Sequence, residues 1–486
     1  MLKYIKYFLG LLLTVCISVE FVSCKKDKLI TDSDAKLKFS TDSLLFDTVF
    51  TQAGSATKQL RVVNKNSQKI KISSIFLESG NSSSFIINVD GAKGNSFSDI
   101  EIASQDSIYI FVQVYVNPTN SNNPVIINEN LVFNFNGNTK KVVLEAWGQD
   151  CYYHRPNTAI KFSDGSYLPY STVSLATNTT VTWPNDKPHV IYGWVVIDST
   201  QTLILQPKTQ LYFYQNAGMW VYRYGAIKVN GQKGSEVVFQ GYRRESDYIN
   251  EPGQWDRLWI SEGSLNNEID YAIIKNAFIG VQADLLNTIY NADERRLKIT
   301  NTKIFNMKKW GLYSVGYNIY GGNNVISNCR ESCVNLTLGG NYKFIHCTFA
   351  NYWNKDTRTV PCVSINNYNS GSVFPLDTCY FGNSIIDGSI DSELSLDFDY
   401  SNTMFPPKHS FNYCVLKANQ VTDSHFNNCK FKQLLYFKNT GDNDFSINDN
   451  NSAAINFSSG ADANLFQFDI NGVNRLINPD AGAYKK

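Results

Sequence analysis

The sequence predicts an all-β protein in which a β-sandwich is followed by a parallel β-solenoid. Aromatic residues make up 14% of the 486 residues, charged residues make up 18%, and only 4 are Met, a composition typical of large sheets. Between residues 37 and 148, roughly seven strands are separated by turn signals, as in a sandwich. Between residues 255 and 350, short apolar strands alternate with Asn, Gly, Thr and Cys, without a helical period. Such strands bury their apolar side chains only when successive coils stack in register.

Residues 1–23 are predicted to be a signal peptide. Lys3 and Lys6 give a positive start, and the apolar run at residues 8–19 is shorter than the roughly 20 residues of a membrane-spanning helix. The following Phe21-Val-Ser-Cys24 resembles a bacterial lipobox, which implies that Cys24 is lipidated and begins the mature chain. Residues 24–36 are then the lipidated Cys and its tether. An uncleaved membrane anchor is the alternative.

The predicted tether carries charged residues directly after Cys24. Its run Lys25-Lys-Asp-Lys28 resembles the start of surface lipoproteins of the Bacteroidetes. The resemblance implies a lipid anchor in the bacterial outer membrane, with the chain at the cell surface and the membrane as a partner. The formal net charge of +1 gives no electrostatic reason to bind polyanions, so nucleic acid is not expected as a partner.

Residues 37–148 are predicted to form the β-sandwich. Residues 106–116 give the longest strand, and the turn Asn136-Gly137 lies between two apolar runs that pair as a hairpin. The order of these elements resembles that of bacterial immunoglobulin-like modules. A Val-Val-Asn-Lys-Asn run at residues 62–66 comes first, the strand at 85–89 follows, and this hairpin comes last. Such modules are found near the membrane end of surface proteins, which implies a stalk.

Residues 149–187 are predicted to form an ordered bridge between the sandwich and the solenoid. Pro156 and Pro184 interrupt any regular pattern of strands in this segment. Its aromatic residues, among them Tyr152 and Tyr153, need a packing partner, so the segment is expected to lie against a neighbouring domain.

Residues 188–486 are predicted to form the solenoid. Similar strand and turn units recur at residues 269–281, 297–304, 324–329 and 342–349. These units resemble the coils of the right-handed parallel β-helix in the pectin-lyase-like superfamily. In that arrangement each strand pairs its backbone with the coils above and below, and alternate side chains fill the interior.

Two further features concern the turns and the end of the solenoid. Asn276, Asn301 and Asn328 fall at repeated turns, where Asn tolerates left-handed backbone geometry and hydrogen-bonds within a stack. The tail Asn478-Pro-Asp-Ala-Gly-Ala-Tyr484 resembles the ending of many secreted bacterial β-helix proteins. The resemblance predicts that this tail marks the end of the coil stack.

Eight Cys remain once Cys16 leaves with the signal peptide and Cys24 carries lipid. Five of them occur in similar strand contexts, which predicts small thiols stacked inside successive coils. One or two disulfides are an alternative in an oxidising compartment. A metal site is a third, although no paired Cys-x-x-Cys or neighbouring His completes a zinc pattern. The five are Cys329, Cys347, Cys379, Cys414 and Cys429.

Three charged stretches are candidates for catalysis. The resemblance to pectin-lyase-like enzymes implies a base with a cation, or paired carboxylates facing one groove. Asp397 and Asp399 are two residues apart, so a strand would place both on one face, where they could pair or bind Ca²⁺. Solvated side chains on a polar face or loop are the alternative. Apart from this Ca²⁺, no cofactor is expected. The other two stretches are residues 293–296 and Asp356 with Arg358.

Aromatic residues near predicted turns are candidates for ligand binding. Trp310, Tyr313 and Trp353 are the three selected, because an exposed ring stacks on the apolar face of a sugar. The alternative is that these rings pack within the protein. The leading interpretation is therefore a lipid-anchored, non-enzymatic surface module for binding or adhesion, with glycan as the ligand. A polysaccharide lyase or glycoside hydrolase and a purely structural envelope component are the alternatives.

Overall fold

The computed structural model describes residues 28–261, 263–284 and 297–486. The chain forms two compact units that divide between Asp150 and Cys151. Almost all regular elements are strands, which confirms the all-β class. None of the helices in the described ranges has the length and hydropathy that a membrane span requires. The predicted signal peptide and Cys24 lie outside the described residues.

The first unit contains two sheets and a 3₁₀ turn at Gly80–Ser82. The order of one sheet is β1-β5-β10-β11-β3 with β8 paired to β5, and the order of the other is β2-β4-β9-β6-β7. The strands are β1 (Leu29–Ile30), β2 (Leu37–Phe39), β3 (Ser43–Phe50), β4 (Lys58–Asn64), β5 (Lys69–Leu77), β6 (Phe85–Val89), β7 (Ala92–Gly94), β8 (Ser96–Ile102), β9 (Ser107–Val114), β10 (Val125–Phe135) and β11 (Asn138–Gln149).

Alternating side chains bury one face of each sheet in a shared core. Along β9, Ile108, Ile110 and Val112 are buried while Tyr109 and Phe111 between them are exposed. Residues from both sheets form one hydrophobic cluster. The predicted hairpin is confirmed, because β10 pairs antiparallel with β11 and the two turn residues have φ of 44° and 73°. Those positive φ values are what Asn and Gly accept in a two-residue hairpin turn.

The second unit is built from short strands. In its first half they are β12 (Tyr152–His154), β13 (Thr158–Lys161), β14 (Tyr167–Thr172), β15 (Thr180–Trp183), β16 (His189–Ile191), β17 (Trp194–Ile197), β18 (Thr202–Leu205), β19 (Gln210–Phe213), β20 (Gly218–Val221), β21 (Ala226–Asn230), β22 (Val237–Gly241), β23 (Leu258–Ile260), β24 (Asn267–Asp270), β25 (Ala272–Lys275), β26 (Val281–Asp284), β27 (Leu297–Thr300), β28 (Lys303–Phe305), β29 (Leu312–Val315) and β30 (Asn318–Gly322).

The second half continues in the same way and ends in a short helix and loops. The elements are β31 (Val325–Ser327), β32 (Val334–Thr337), β33 (Gly340–Ile345), β34 (Thr348–Asn351), β35 (Val363–Asn366), β36 (Tyr368–Asn369), β37 (Ser372–Val373), β38 (Leu376–Gly382), β39 (Ile385–Gly388), β40 (Leu394–Asp397), β41 (Ser410–Asn412), β42 (Val415–Leu416), β43 (Phe426–Asn427), β44 (Lys430–Phe431), β45 (Phe437–Asn439), β46 (Asp444–Ile447) and α1 (Gly460–Ala463).

Three long sheets organise these strands, and from β16 to β35 successive strands visit the three in turn. The first sheet is β12-β16-β19-β22-β25-β28-β31-β34-β39-β42-β44. The second is β13-β14-β17-β20-β23-β26-β29-β32-β35-β40, and the third is β15-β18-β21-β24-β27-β30-β33-β38-β41-β43. Apart from the antiparallel pair β13 and β14, neighbouring strands in these sheets are parallel. The fold is therefore β-helix-like, with three strands in each full coil.

The segment predicted as a bridge is part of this coil stack. Its strands β12, β14 and β15 pair in parallel with β16, β17 and β18, one in each of the three sheets. Residues 152–183 therefore form the first coil. Pro156 and Pro184, which suggested a bridge, lie outside these three strands, where a missing N–H costs no ladder hydrogen bond.

Side chains at one register position stack along the inside of the coils. One such row in the second sheet is apolar from β17 to β40, and its residues belong to the main hydrophobic cluster or pack against it. Parallel strands in register lie about 4.8 Å apart, so each side chain in the row touches the next and water is excluded. The row consists of Val195, Met219, Leu258, Val281, Leu312, Val334, Val363 and Leu394.

The predicted turn asparagines have the expected geometry. Asn276, Asn301 and Asn328 have φ of 64°, 49° and 47°, in the left-handed region. Asn323 also has a left-handed φ, and its Nδ2 donates to Asn301 Oδ1 at 2.9 Å. The prediction of left-handed, hydrogen-bonded asparagines is therefore confirmed.

The tail at residues 478–484 does not end the coil stack, so that prediction is wrong. The last strands of the stack are β43 and β44, and the chain then runs back over the first sheet. Ala483 N donates to Thr348 Oγ1 at 3.0 Å, and Tyr484 packs in one buried cluster with Val325 and Ala350. Apolar residues on the outer face of the first sheet need a cover, and the tail supplies it.

All eight Cys of the second unit are free thiols, and this agrees with the prediction of stacked small side chains. Six belong to the main hydrophobic cluster, and Cys429 packs against it. Burial raises the pKa of Cys347 to about 12, so this thiol stays protonated and behaves as an apolar side chain. The six are Cys329, Cys333, Cys347, Cys362, Cys379 and Cys414.

The indole ring of Trp183 stacks against His154 and His189 at the start of the coil stack. Its ring centroid lies 4.0 Å from that of His154 and 4.5 Å from that of His189. The Pro184 carbonyl lies 2.7 Å from His189 Nε2, so this nitrogen is the donor, and His189 Nδ1 accepts from His154 Nε2 at 2.9 Å. The unprotonated Nδ1 makes the His189 ring neutral. Burial, reinforced by His189, lowers the pKa of His154 to about 3.

Acidification is expected to destabilise the second unit through His154. An unfolded histidine gains a proton near pH 6.5, whereas the folded ring stays neutral to about pH 3, so stability falls as the pH decreases between these values. The expected loss at pH 5, relative to pH 7.5, is about 2 kcal/mol for this group. Urea unfolding at both pH values measures it. His154→Phe retains the stacking on Trp183 and should lose this part of the pH dependence; equal dependence in both proteins contradicts the assignment.

Candidate functional site

The two carboxylates predicted to share one strand face do not form a pair. Asp397 is the exposed last residue of β40, and its carboxylate accepts from Tyr368 Oη at 2.9 Å. Asp399 lies beyond the strand, and its Oδ1 accepts from the backbone N of Ser401 at 2.7 Å. Because the strand ends between them, the alternation that would place both on one face does not apply. Within the described ranges, no group of three or more His, Cys, Asp or Glu is placed to hold a metal ion.

Arg358 and Asp356 belong to different ion pairs. Asp356 pairs with Arg330 at 2.7 Å on the surface. Arg358 is buried and forms a bidentate pair with Glu393 at 2.6 and 2.8 Å. Nη1 and Nη2 of this arginine also donate to the backbone carbonyls of Val360 and Asn351, so both terminal nitrogens are used to hold the chain itself. The third stretch, residues 293–296, lies outside the described residues.

Of the three aromatic candidates for ligand binding, Trp353 is buried. Its side chain is 8% exposed, and its Nε1 donates to Asp356 Oδ1 at 2.7 Å. A ring that is buried on a turn and fixed by its N–H offers no face to a sugar. Trp310 and Tyr313 are both partly exposed, and their ring centroids are 4.1 Å apart in a stacked arrangement.

Tyr313 belongs to a row of side chains on the outer face of the second sheet. In register along β20, β23, β26 and β29, the row reads Trp220, Trp259, Gln282 and Tyr313. At about 4.8 Å for each step, the row from Trp220 to Tyr313 is about 14 Å long. The rings of Trp220 and Trp259 stack with their centroids 4.7 Å apart and an interplanar angle of 7°. We call Trp220, Trp259, Trp310 and Tyr313 the aromatic surface.

Strand geometry explains why these rings face outward. Trp220, Trp259 and Tyr313 each lie between two buried residues of a strand, such as Met219 and Val221 on either side of Trp220, whereas Trp310 lies just before β29. Trp220 Nε1 donates to Ser261 Oγ at 2.5 Å, which fixes the plane of the indole. Trp220 and Trp259 both remain partly exposed, so apolar ring area is presented to solvent on a rigid sheet.

A polar network runs through the middle of the row. Asp284 Oδ2 accepts from Trp259 Nε1 at 2.7 Å and from Gln282 Nε2 at 2.8 Å. Gln282 Oε1 in turn accepts from Arg257 Nη1, and Arg257 Nε is paired with Asp256 Oδ1 at 2.5 Å. The network fixes both the indole of Trp259 and the amide of Gln282, so the row is organised without a ligand.

Asp284 is the buried acid of this network. It is 4% exposed, and burial raises the pKa of its carboxyl, an effect that the hydrogen bonds from Gln282 and Trp259 oppose. Burial also raises the pKa of Tyr313, with a smaller contribution from the charge of Asp284. The tyrosine is therefore a neutral hydroxyl at physiological pH. Partly exposed aromatic rings beside a carboxyl, an amide and a guanidinium combine the apolar and polar groups that line ligand sites.

The sequence interpretation missed Trp220, Trp259 and Asp284. A signal for the two tryptophans exists, since each occupies the middle of an apolar-Trp-apolar strand in successive coils of the second sheet. Recognising it requires the register between β20 and β23, which are separated by a long loop. No sequence signal identifies Asp284, because its burial depends on side chains from two different strands.

Comparison with protein families and with curated proteins finds no match to this chain. Among solved structures, the catalytic unit of a GH87 alpha-1,3-glucanase from Streptomyces thermodiastaticus is similar over 76% of this chain and 72% of that chain, at 10% identity and a TM-score of 0.25. A family 123 glycoside hydrolase from Clostridium perfringens is similar over 31% of this chain and 30% of that chain, at 8% identity and a TM-score of 0.19.

A protein of unknown function from Porphyromonas gingivalis is similar over 30% of this chain, at 12% identity and a TM-score of 0.18. The matched part is 59% of that protein's length. TM-scores this low do not define a shared fold, and the comparisons carry no argument about activity. The class of protein therefore follows from the structure itself, an all-β chain with a three-sheeted parallel coil stack.

Proposed function

We propose that this chain is a lipid-anchored protein of the bacterial outer membrane that binds glycans at the cell surface without cleaving them. In this proposal the first unit is an immunoglobulin-like stalk, and the second is a right-handed β-helix that presents the aromatic surface. The lipobox-like Phe21-Val-Ser-Cys24 and the charged residues after it support the anchor and the location. Lipid attachment at Cys24 is tested by mass spectrometry of the membrane-extracted protein.

The observation that carries the proposal is the row from Trp220 to Tyr313. Its rings are held in place by the sheet and by hydrogen bonds, so little conformational entropy is lost when a ligand binds. A regular row of about 14 Å on adjacent strands suits a ligand with repeating units, because each step of the row offers a similar contact. A polysaccharide has that property.

A polysaccharide lyase or glycoside hydrolase is the alternative. Hydrolases of sugars use two carboxylates across one bond, and lyases need a base beside a cation. Asp284 is a buried acid with a raised pKa, which favours a role as a proton donor. Asp256 is already engaged by Arg257, however, and a binding role requires no second free carboxylate.

The test is a glycan-array screen with soluble protein of residues 28–486. An assay for new reducing ends and for the absorbance of unsaturated uronates is run beside it. Binding without product is the expected result. Product formation would favour the enzymatic alternative, and absence of both binding and product would leave a structural envelope component.

Removal of one exposed ring is expected to weaken glycan binding strongly. Trp220→Ala should cost about 2 kcal/mol, which is roughly thirty-fold in affinity, because a few large aromatic contacts carry most of the binding energy at such surfaces. Trp220 is chosen over Trp259 because it does not hold Asp284. Isothermal titration with the strongest array ligand measures the change.

Trp147→Ala is the matched control for this variant. Trp147 is an equally large ring, 41% exposed, on β11 of the first unit and outside the aromatic surface. It should leave the affinity unchanged. Equal losses from both substitutions would contradict the assignment of the binding site, and so would no loss from Trp220→Ala.

A further inference from the structure

We propose that Cys414 and Cys429 form a disulfide that ties together the last two coils of the stack, made by exchange with the disulfide of an oxidised small thiol. This bond is independent of glycan binding, because neither cysteine belongs to the aromatic surface. Three properties of the pair support it: the register of the two residues, the contact between their sulfurs and the access of one sulfur to solvent.

Cys414 and Cys429 occupy equivalent positions in adjacent coils. The same sequence offset separates the paired residues of β41 and β43, those of β42 and β44, and the two cysteines. The residues just before them, Tyr413 and Asn428, have φ of 51° and 53°, so the chain makes the same left-handed turn into both cysteines. Paired strands lie about 4.8 Å apart, and a disulfide joins Cα atoms about 4.4–6.8 Å apart. The backbone spacing of these two coils therefore suits a disulfide.

The two thiols contact each other inside the stack. Cys414 is fully buried, and its thiol donates a hydrogen bond to the Cys429 sulfur. This hydrogen bond lowers the pKa of Cys429, whereas burial, together with the same hydrogen bond, raises the pKa of Cys414. The thiolate is the attacking species in disulfide exchange. Cys429 is therefore the cysteine that reacts first, and Cys414 is the one that completes the bond.

Cys429 is the thiol that Cys414 meets in its own row of the first sheet. On the other side of Cys414, the register position in the preceding coil is occupied by Ser384, and Cys347 follows one coil further. Two coil spacings are about 10 Å, which exceeds the separation of Cα atoms that a disulfide can span. The register therefore favours one pairing in this row.

Cys429 has access to solvent at the end of the coil stack. β43 and β44 are the last strands of the third and first sheets. The Cys429 side chain is partly exposed and lines two open depressions of about 630 and 510 Å³, so a small oxidant can reach its sulfur. Cys329, Cys333 and Cys362 also contact one another, but all three are fully buried. Contact and access occur together at Cys429 and not in that cluster.

The bond forms by two successive exchanges. The Cys429 thiolate attacks one sulfur of the oxidant, which forms a mixed disulfide and expels the first small thiolate. The thiolate of Cys414 then attacks the Cys429 sulfur, which forms the bond between the two cysteines and expels the second small thiolate. The protons that the two cysteines lose end on the two small thiols. Two protein thiols are oxidised, and the disulfide of the oxidant is reduced.

The first experiment maps the bond. Reduced, folded protein of residues 28–486 is incubated with oxidised glutathione, and the remaining thiols are alkylated in denaturant and located by peptide mass spectrometry. The expected product is one cross-linked peptide that joins Cys414 to Cys429, with the five other buried cysteines alkylated. Full alkylation of both cysteines would overturn the proposal. A bond between Cys333 and Cys362 in its place, or glutathione that stays on Cys429, would also overturn it.

The substitution Cys414→Ser tests the order of the two exchanges. Ser384 holds the equivalent position in the preceding coil, so a serine fits this row. Without the second thiol, the variant should keep glutathione on Cys429, at least about ten-fold more than the wild-type protein does. Cys429→Ser is the matched control, and its buried Cys414 should carry no adduct. Equal adduct on the two variants would contradict the order, and no adduct on Cys414→Ser would overturn the proposal.

Hydrogen exchange tests whether the bond ties the two coils. An end coil has a neighbour on one side only, so it opens more readily than the coils within the stack. Oxidation of the wild-type protein should slow amide exchange in β43 and β44 by at least about ten-fold and should leave the strands before β38 unchanged. The Cys414→Ser variant, treated in the same way, should show no slowing. Equal exchange in reduced and oxidised wild-type protein would overturn the proposal.

Discussion

Glu393→Ala is expected to lower the free energy of unfolding of the second unit by about 3–5 kcal/mol, the cost of leaving a buried charge without its partner. Arg358 and Glu393 are 1% and 0% exposed, so neither charge is solvated when the other is removed. Glu393 also accepts from the backbone N of Cys362 at 2.9 Å and of Ile390 at 2.9 Å. Truncation therefore leaves two backbone donors without an acceptor and the guanidinium without its counter-charge.

Urea unfolding followed by circular dichroism measures this change. Asp391→Ala is the control. Asp391 is two residues before Glu393 in the sequence, and it pairs with Lys432 on the surface, where an ion pair contributes about 0–1 kcal/mol. The double substitution Arg358→Met with Glu393→Leu should recover part of the stability, since it removes both charges at similar volume. A loss below 1 kcal/mol for Glu393→Ala would show that the pair is not buried as described.

Phe381→Ala is expected to cost about 3–5 kcal/mol through the cavity that it creates. The ring is fully buried on β38, with centroid distances of 5.2 Å to Phe344, 5.9 Å to Phe349 and 5.0 Å to Phe411. Rings contributed by adjacent coils hold one another in place, so the neighbours cannot close the space without shifting a strand. The substitution should lower the urea midpoint at an unchanged slope.

Hydrogen exchange adds a readout that a general loss of stability would not give. Because each coil contacts only its neighbours, protection should fall most in β33, β38 and β41 and little in the coils before β27. Phe426→Ala is the matched control, since Phe426 on β43 in the last coil is only partly buried and its loss should cost less. An equal effect of the two substitutions would contradict the structure of this core.

The sequence could predict the features of this fold that depend on residues close together in the chain, and it could not predict those that depend on residues far apart. The hairpin at Asn136-Gly137 and the left-handed turns at Asn276 and Asn301 are set by one or two residues, and the structure has them as expected. The tail at residues 478–484 was placed wrongly because its packing partners on the first sheet are more than a hundred residues away. Sequence spacing carries no information about such contacts.

The candidate site illustrates the same division. Trp310 and Tyr313 could be selected because both ring types and the turn are visible locally, whereas Trp353 was selected on the same ground and is buried. Asp397 and Asp399 satisfied the period of a strand, but the strand ends at the first of them. Residue type identifies a candidate, and only the fold decides whether its side chain is exposed.

The sequence by itself determined the all-β class, the recurring short strands and the residues that turn between them. These follow from composition, alternation and the conformational preferences of Asn and Gly, which act within a few residues. The tertiary structure alone decided the register that aligns Trp220, Trp259 and Tyr313, and the burial of Asp284 among them. Register is a property of strands from different coils, separated by loops of unequal length, so it arises from the packing of the whole stack and not from any one segment.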